Sequence, residues 1–257
     1  MRTIDTHAHL DHLENLSVAL EEAVAAGVGG IIAVSMDLAS IKKNLDIKKT
    51  YSSPDIYPGL GIHPGNVKME DVEETLDFIR AHIKEAHVIG EIGLDFWYKW
   101  VRKDDEKKAR QREVFRRQLE IAREFDLPVV VHSRGTWREC LETVKGFGIT
   151  GAVFHWYSGP IDVLDDILSS GYFVSASPAL ASSPQSRAAM AHAPIEQTLI
   201  ETDCPVFYHD RDHEGEGFTS APKDVFRTLR AYAELKKVEP DSALGTLNDN
   251  AKEFLRI

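Results

Sequence analysis

The sequence predicts an α/β fold, a single TIM-type (β/α)8 barrel, and three observations carry that prediction. Eight short apolar runs alternate with amphipathic stretches along the 257 residues. The runs are nearly continuous in apolar residues, as strands of a parallel sheet covered on both faces are. Six side chains of metal-ligating type fall at or just past the ends of five of these runs. An open doubly wound sheet is the competing architecture, and it would scatter the six along an edge. A closed barrel gathers the C-terminal ends of its strands on one axis.

The first strand is expected at 3–6, directly after the N-terminus. A helix at 17–26, rich in Ala and Glu, stops at Gly27. Strands follow at 30–35 and 56–62. The stretch 70–84 places Val72, Leu76, Ile79 and Ile83 on one helical face, before a strand at 88–90. A long helix at 105–125 carries Phe115, Leu119, Ala122 and Phe125 at helical spacing and ends shortly before Pro128. Strands at 129–132, 152–155, 172–175 and 198–201 complete the eight. Helices at 138–147 and 160–170 end at Gly148 and Gly171. Helices at 224–234 and 242–255 are expected to pack outside the barrel. No repeat or low-complexity linker interrupts the chain, so residues 1–257 are expected to form one domain.

Lys and Arg number 30 against 41 Asp and Glu, a formal net charge of −11. Proteins that grip long nucleic acid duplexes by their phosphates are usually basic, so this balance argues against extended duplex binding. A phosphate substrate stays open, because bound divalent ions reverse the local field. Only Cys140 and Cys204 are present, far apart and outside any CxxC pair, which argues against a disulfide framework. Cys204 reads as a small buried packing residue or a soft ligand. No apolar run approaches the roughly 20 residues of a membrane span. The N-terminus runs straight into a strand, without room for a signal peptide. A cytoplasmic location with no membrane partner is the expectation.

The six ligand-type residues are His7 and His9 in Asp5-Thr6-His7-Ala8-His9-Leu10, Glu91 in Gly90-Glu91-Ile92-Gly93-Leu94-Asp95, His132, His155 and Asp203. Residues two apart on a strand point to one side, so His7 and His9 can share an ion. An HxH pair alone is weak evidence, since surface histidines are common. Four histidines and two carboxylates converging on one barrel mouth are not. Imidazole and carboxylate suit zinc, manganese or similar divalent ions. Glu91 is the candidate bridge between two ions, with a buried salt bridge as the alternative. Asp203 could hold an ion and accept a proton from water, whose pKa a divalent ion lowers towards ~7.

These segments, together with Gly61-Ile62-His63-Pro64, Val131-His132-Ser133-Arg134, Phe154-His155-Trp156-Tyr157-Ser158-Gly159 and Glu201-Thr202-Asp203-Cys204-Pro205, resemble the TatD family of metal-dependent hydrolases among the amidohydrolase-like barrels. The resemblance covers nearly the whole chain. It implies a dinuclear site, with His7, His9, Glu91 and Asp203 on one ion and Glu91, His132 and His155 on the other. It implies two divalent ions (zinc, manganese or magnesium), a metal-activated hydroxide and a phosphoester substrate, DNA in the better-studied members. Two positions depart from the family pattern. Thr219-Ser220-Ala221-Pro222 stands where an Asn-Glu-Pro signature is usual, and Trp156-Tyr157 stands where the family has Cys-Phe.

Around the mouth, His63 reads either as a donor to a phosphate or leaving group, or as a loop cap. Arg134 reads as a bidentate phosphate contact, or as an ion-pair partner of Asp95 or Glu201. Phe96-Trp97-Tyr98-Lys99-Trp100, followed by Arg102, Lys103, Lys107, Lys108, Arg110 and Arg112, reads as a base-stacking surface or as an aromatic lid. The acidic stretch 207–217, with His209 and His213, reads as a solvated loop or a further ion site. The catalytic set expected is Asp203 as general base, Glu91 between the ions, and His63 or Arg134 against transition-state charge. The expected activity is a TatD-type phosphodiesterase or deoxyribonuclease. The alternative on the same ligands is an amide or ester hydrolase, including an aminoacyl-ester deacylase. A non-catalytic metal or nucleic-acid binding protein is a third reading, disfavoured because a structural zinc site is closed and four-coordinate.

Overall fold

In the computed structural model, which describes residues 2–67, 69–209 and 217–257, eight strands form one parallel sheet in sequential order. They are β1 (Thr3–Ala8), β2 (Val28–Ala33), β3 (Asp55–Leu60), β4 (Val88–Gly93), β5 (Val129–His132), β6 (Ala152–Phe154), β7 (Phe173–Ala176) and β8 (Thr198–Ile200). The sheet closes on itself just beyond β8. There the Asp203 amide donates to the His7 carbonyl (2.9 Å) and the His9 amide donates to the Cys204 carbonyl (2.8 Å). The seam of this TIM barrel therefore lies among the candidate ligands.

Helices α1 (Leu16–Ala26), α2 (Leu38–Thr50), α3 (Met69–Ala81), α4 (Asp105–Glu124), α5 (Trp137–Gly146), α6 (Ile161–Ser169) and α7 (Pro184–His192) connect successive strands. A short antiparallel pair, β9 (Phe207–His209) and β10 (Gly217–Thr219), follows, and then α8 (Val225–Lys236) and α9 (Pro240–Leu255). Outward strand residues such as Ile31, Val129, Val131 and Phe154 pack under the helices in the larger core. A second core of Ile32, Val88, Val130, Val153, Phe173 and Leu199 fills the barrel interior. Ala251, Phe254 and Leu255 of α9 join this interior core, so α9 plugs the barrel rather than lying only outside it. The Phe254 ring meets the Phe173 ring edge-on at 6.2 Å.

The structure differs from the expected elements where local signals were short. α2 lies in a segment to which the sequence pattern assigns no element, although Asp37 caps it, accepting from the Ser40 amide at 2.9 Å. α7 starts with Ser183 as cap and Pro184 in its first turn. β3 ends at Leu60 instead of 62, which leaves His63 in the following loop. β6 ends at Phe154, so His155 is the first residue beyond it. His209 pairs with Gly217 in the β9/β10 hairpin, while His213 lies outside the described residues. No described helix is long and apolar enough to cross a membrane.

Candidate active site

All six ligand-type residues meet at the C-terminal mouth of the barrel, where (β/α)8 enzymes place their chemistry. Glu91, buried on β4, stands between two groups of side chains. Its Oε2 lies 3.3 Å from His7 Nε2 and 3.5 Å from His9 Nε2. Those same two nitrogens lie 3.3 and 3.4 Å from Asp203 Oδ1. Its Oε1 lies 2.7 Å from both His132 Nδ1 and His155 Nε2. One carboxylate thus faces His7 and His9 through one oxygen and His132 and His155 through the other.

In the His7, His9, Glu91 and Asp203 group the spacing and the unpartnered atoms fit a divalent ion. Four ligand atoms about 2.1 Å from one ion in a tetrahedron lie about 3.4 Å apart, close to the separations in the His7, His9, Glu91 and Asp203 group. Both ring nitrogens of His7 and Nδ1 of His9 are buried without a hydrogen-bond partner among the described residues. A buried polar atom left in that state is costly unless something other than a hydrogen bond satisfies it.

The electrostatics point the same way. Burial works against charge on Glu91, yet His155, His63 and His7 hold its carboxyl well below the usual range. Burial likewise opposes ionisation of Asp203, and the His7 and His9 imidazoles beside it overcome that and hold its carboxyl low. Burial and His155 push the His7 imidazole down, but Glu91 and Asp203 outweigh them and carry it up to about 9. The two carboxylates therefore draw positive charge into the space between the histidines.

Two further carboxylates orient the second group. Asp95 Oδ2 lies 2.9 Å from His132 Nε2, and Glu201 Oε1 lies 3.3 Å from His155 Nδ1. The other oxygen of Glu201 accepts from the Ser175 hydroxyl. The position of each was readable in part. Asp95 closes the Gly90–Asp95 motif, and Glu201 lies two residues before Asp203, but neither was expected to support a histidine. Close approach of β4 and β5 depends on Gly93, at φ +143°, where a Cβ would collide with the His132 carbonyl oxygen. Asp203 and Trp156, next to or within the ligand set, hold φ of +48° and +43°. For a bulky residue such as Trp156 that conformation is strained, and functional sites commonly hold such strain.

His63 enters the site from the loop after β3. Its Nδ1 accepts from the Gly65 amide at 2.9 Å, which puts the proton of the neutral ring on Nε2. Burial pushes its pKa down to about 3. Nε2 faces inward, 3.6 Å from Glu91 Oε1 and 3.4 Å from His132 Nδ1. Arg134 turns to Asp95: its Nε and one terminal nitrogen lie 2.9 and 2.8 Å from Oδ2. Its guanidinium also sits 5.1 Å from the Tyr98 ring centre. These residues open onto a cleft of about 430 Å³, whose walls include Tyr98, Trp137 and Trp156.

A (β/α)8 barrel with a histidine and carboxylate cluster at its mouth defines the broad class, a metal-site barrel. The family described as TatD related DNase matches residues 4–256, and the chain belongs to that family. The uncharacterized metal-dependent hydrolase YabD of Bacillus subtilis is 30% identical, over 98% of this chain and 98% of its own. The human deoxyribonuclease TATDN3 is 26% identical, over 96% of this chain and 92% of its own. The crystal structure of YJJV, a TatD homolog from Escherichia coli, superposes with a TM-score of 0.87. It is 26% identical and covers 100% of this chain and 98% of that one.

Proposed function

We propose that residues 1–257 form one catalytic unit, a divalent-metal-dependent phosphodiesterase that cleaves DNA. The observation that supports it most is the double use of Glu91, whose two oxygens face two separate ligand groups at the floor of one cleft. The family and the name of the human relative support DNA as the substrate. His7, His9, Glu91 and Asp203 would hold one ion, and Glu91, His132 and His155 the other, with zinc, manganese and magnesium all compatible. Two such ions, when bound, supply Lewis-acid activation of water and neutralise charge on a phosphoryl group.

The remaining steps belong to the chain's own side chains. Asp203, kept ionised by His7 and His9, accepts a proton from the attacking water at its carboxylate. His63 stays neutral and donates from Nε2 towards the substrate, stabilising charge that develops on an oxygen. Asp95 and Glu201 hold His132 and His155 in the tautomers that present Nδ1 and Nε2 inward. Arg134 reinforces Asp95.

The test is turnover of single-stranded DNA by metal-loaded protein, beside a generic phosphodiester and a panel of carboxylic esters and amides. DNA and phosphodiester cleavage are expected, with losses of about 10³-fold or more in Glu91→Ala and Asp203→Ala. Ester or amide turnover without phosphodiester cleavage would replace the phosphodiesterase with an amide or ester hydrolase at the same site.

A further inference from the structure

The loop between Leu94 and Asp104 displays aromatic surface that the barrel core does not use. Trp97 is 65% exposed and Trp100 is 43% exposed. Trp97 is nevertheless held in place. Its amide donates to Asp95 Oδ1 at 2.8 Å, on the carboxylate that also carries His132 and Arg134. The Cδ1 and Nε1 edge of its indole lies against Gly135, at φ +76°, where a Cβ would collide with the ring. The Cδ1–Nε1 edge of Trp97 is thus seated against the loop after β5, and the side chain as a whole stays open to solvent. Beside it, Trp100 stacks on Tyr98 (5.7 Å, 25°), Arg134 covers Tyr98, and Tyr98 lines the cleft. Lys99, Arg102 and Lys103, all exposed, stand on the same loop of a chain whose net charge is −11.

An exposed indole fixed at the rim of a candidate active site points to a ligand. Aromatic faces interleaved with cations match a polymer that alternates flat rings with phosphates. A protein partner would instead call for a contiguous apolar patch. We propose that Trp97 is a stacking platform for an unpaired nucleobase on the strand whose phosphodiester occupies the cleft. This rests on the phosphodiesterase reading above. A base inside an intact duplex has both faces covered by its neighbours and cannot use the platform, so the ligand is single-stranded nucleic acid or a frayed end.

The test uses metal-loaded protein and a labelled phosphorothioate octathymidylate, which resists cleavage, with affinity read by fluorescence anisotropy. Trp97→Ala is expected to weaken binding about tenfold, the loss of one stacked base, and Trp97→Phe to recover most of it. Affinity for a blunt duplex, and turnover of bis(p-nitrophenyl) phosphate, should be the same in all three proteins. Single-strand affinity in Trp97→Ala within twofold of wild type would overturn the platform, as would equal weakening for duplex. Loss of bis(p-nitrophenyl) phosphate turnover in Trp97→Ala would mean that the residue acts through Asp95, and would also overturn it. Wild-type protein that turns over neither phosphodiester nor DNA would sink the phosphodiesterase reading, and the anisotropy series would still decide the platform.

Discussion

The half of the site around His132 and His155 and the half around His7 and His9 hold their imidazoles by different means. In the first, each outer nitrogen faces a carboxylate: Asp95 for His132, itself gripped by Arg134, and Glu201 for His155, itself held by Ser175. In the second, His9 Nδ1 and both nitrogens of His7 have no hydrogen-bond partner among the described residues. Asp11 carries a buried oxygen in the same condition, and its carboxylate belongs to a cluster with His9 and His12 whose ligand atoms lie within 4.8 Å. What places His7 and His9 is the main chain, through the seam between their strand and the 203–204 segment. Ring packing adds to it, since His7 stacks on His155 at 4.0 Å and 10°. One half is oriented by side chains, the other by barrel closure.

The comparison breaks first at Glu91, the residue common to both halves. Glu91→Gln should lose both tightly bound ions, while Asp203→Asn should lose one and keep the other. Ion counts by atomic emission after dialysis measure this directly. A Glu91→Gln protein that retains two ions would show that the halves are independent.

A smaller effect separates the two means of support. Asp95→Asn and Glu201→Gln should each weaken binding of the ion in the second half by about 10–100-fold. Asp11→Asn should change affinity in the first half far less, because main-chain pairing holds those rings. Competition with a chelating dye gives the affinities. Equal losses in all three variants would abolish the distinction.

The smallest expected effect concerns Asp5, which ties β1 to the 202–204 segment by pairing with the Thr202 hydroxyl and accepting from its amide. Burial raises the Asp5 carboxyl from 3.8 to about 8, against the opposing pull of those hydrogen bonds. Between those values the unfolded chain gives up a proton that the folded chain keeps. Stability from this group is therefore present at low pH and lost as pH rises towards 8. Asp5→Asn, neutral throughout, should gain on wild type between pH 5 and 8 in urea unfolding with chelator present, and the gap should be flat above pH 8. A gap that shrinks with rising pH would mean that Asp5 is ionised in the folded protein.

Most of this architecture was legible in the chain. The eight strands were, because a parallel strand covered on both faces must be apolar along its length, and each expected run overlaps an observed strand. α2 and α7 are announced only by local start signals, Asp37 with Ser40 and Ser183 with Pro184. The expected β3 is too long because Gly61 and Ile62 continue its apolar run past Leu60, and the expected β6 because it takes His155 as the strand tip.

The identity of the six ligand-type residues, their place at strand ends and the α/β barrel class were determined by the sequence alone. Local pattern is enough for that, since strand periodicity and residue chemistry are written in neighbouring positions. Only the tertiary structure decided that Arg134 serves Asp95, that Asp95 and Glu201 stand behind two of the histidines, and that α9 enters the interior core. It also decided that Trp97 rests on Gly135. Each depends on a meeting between segments remote in sequence, and its geometry is set by barrel closure, which no local window contains.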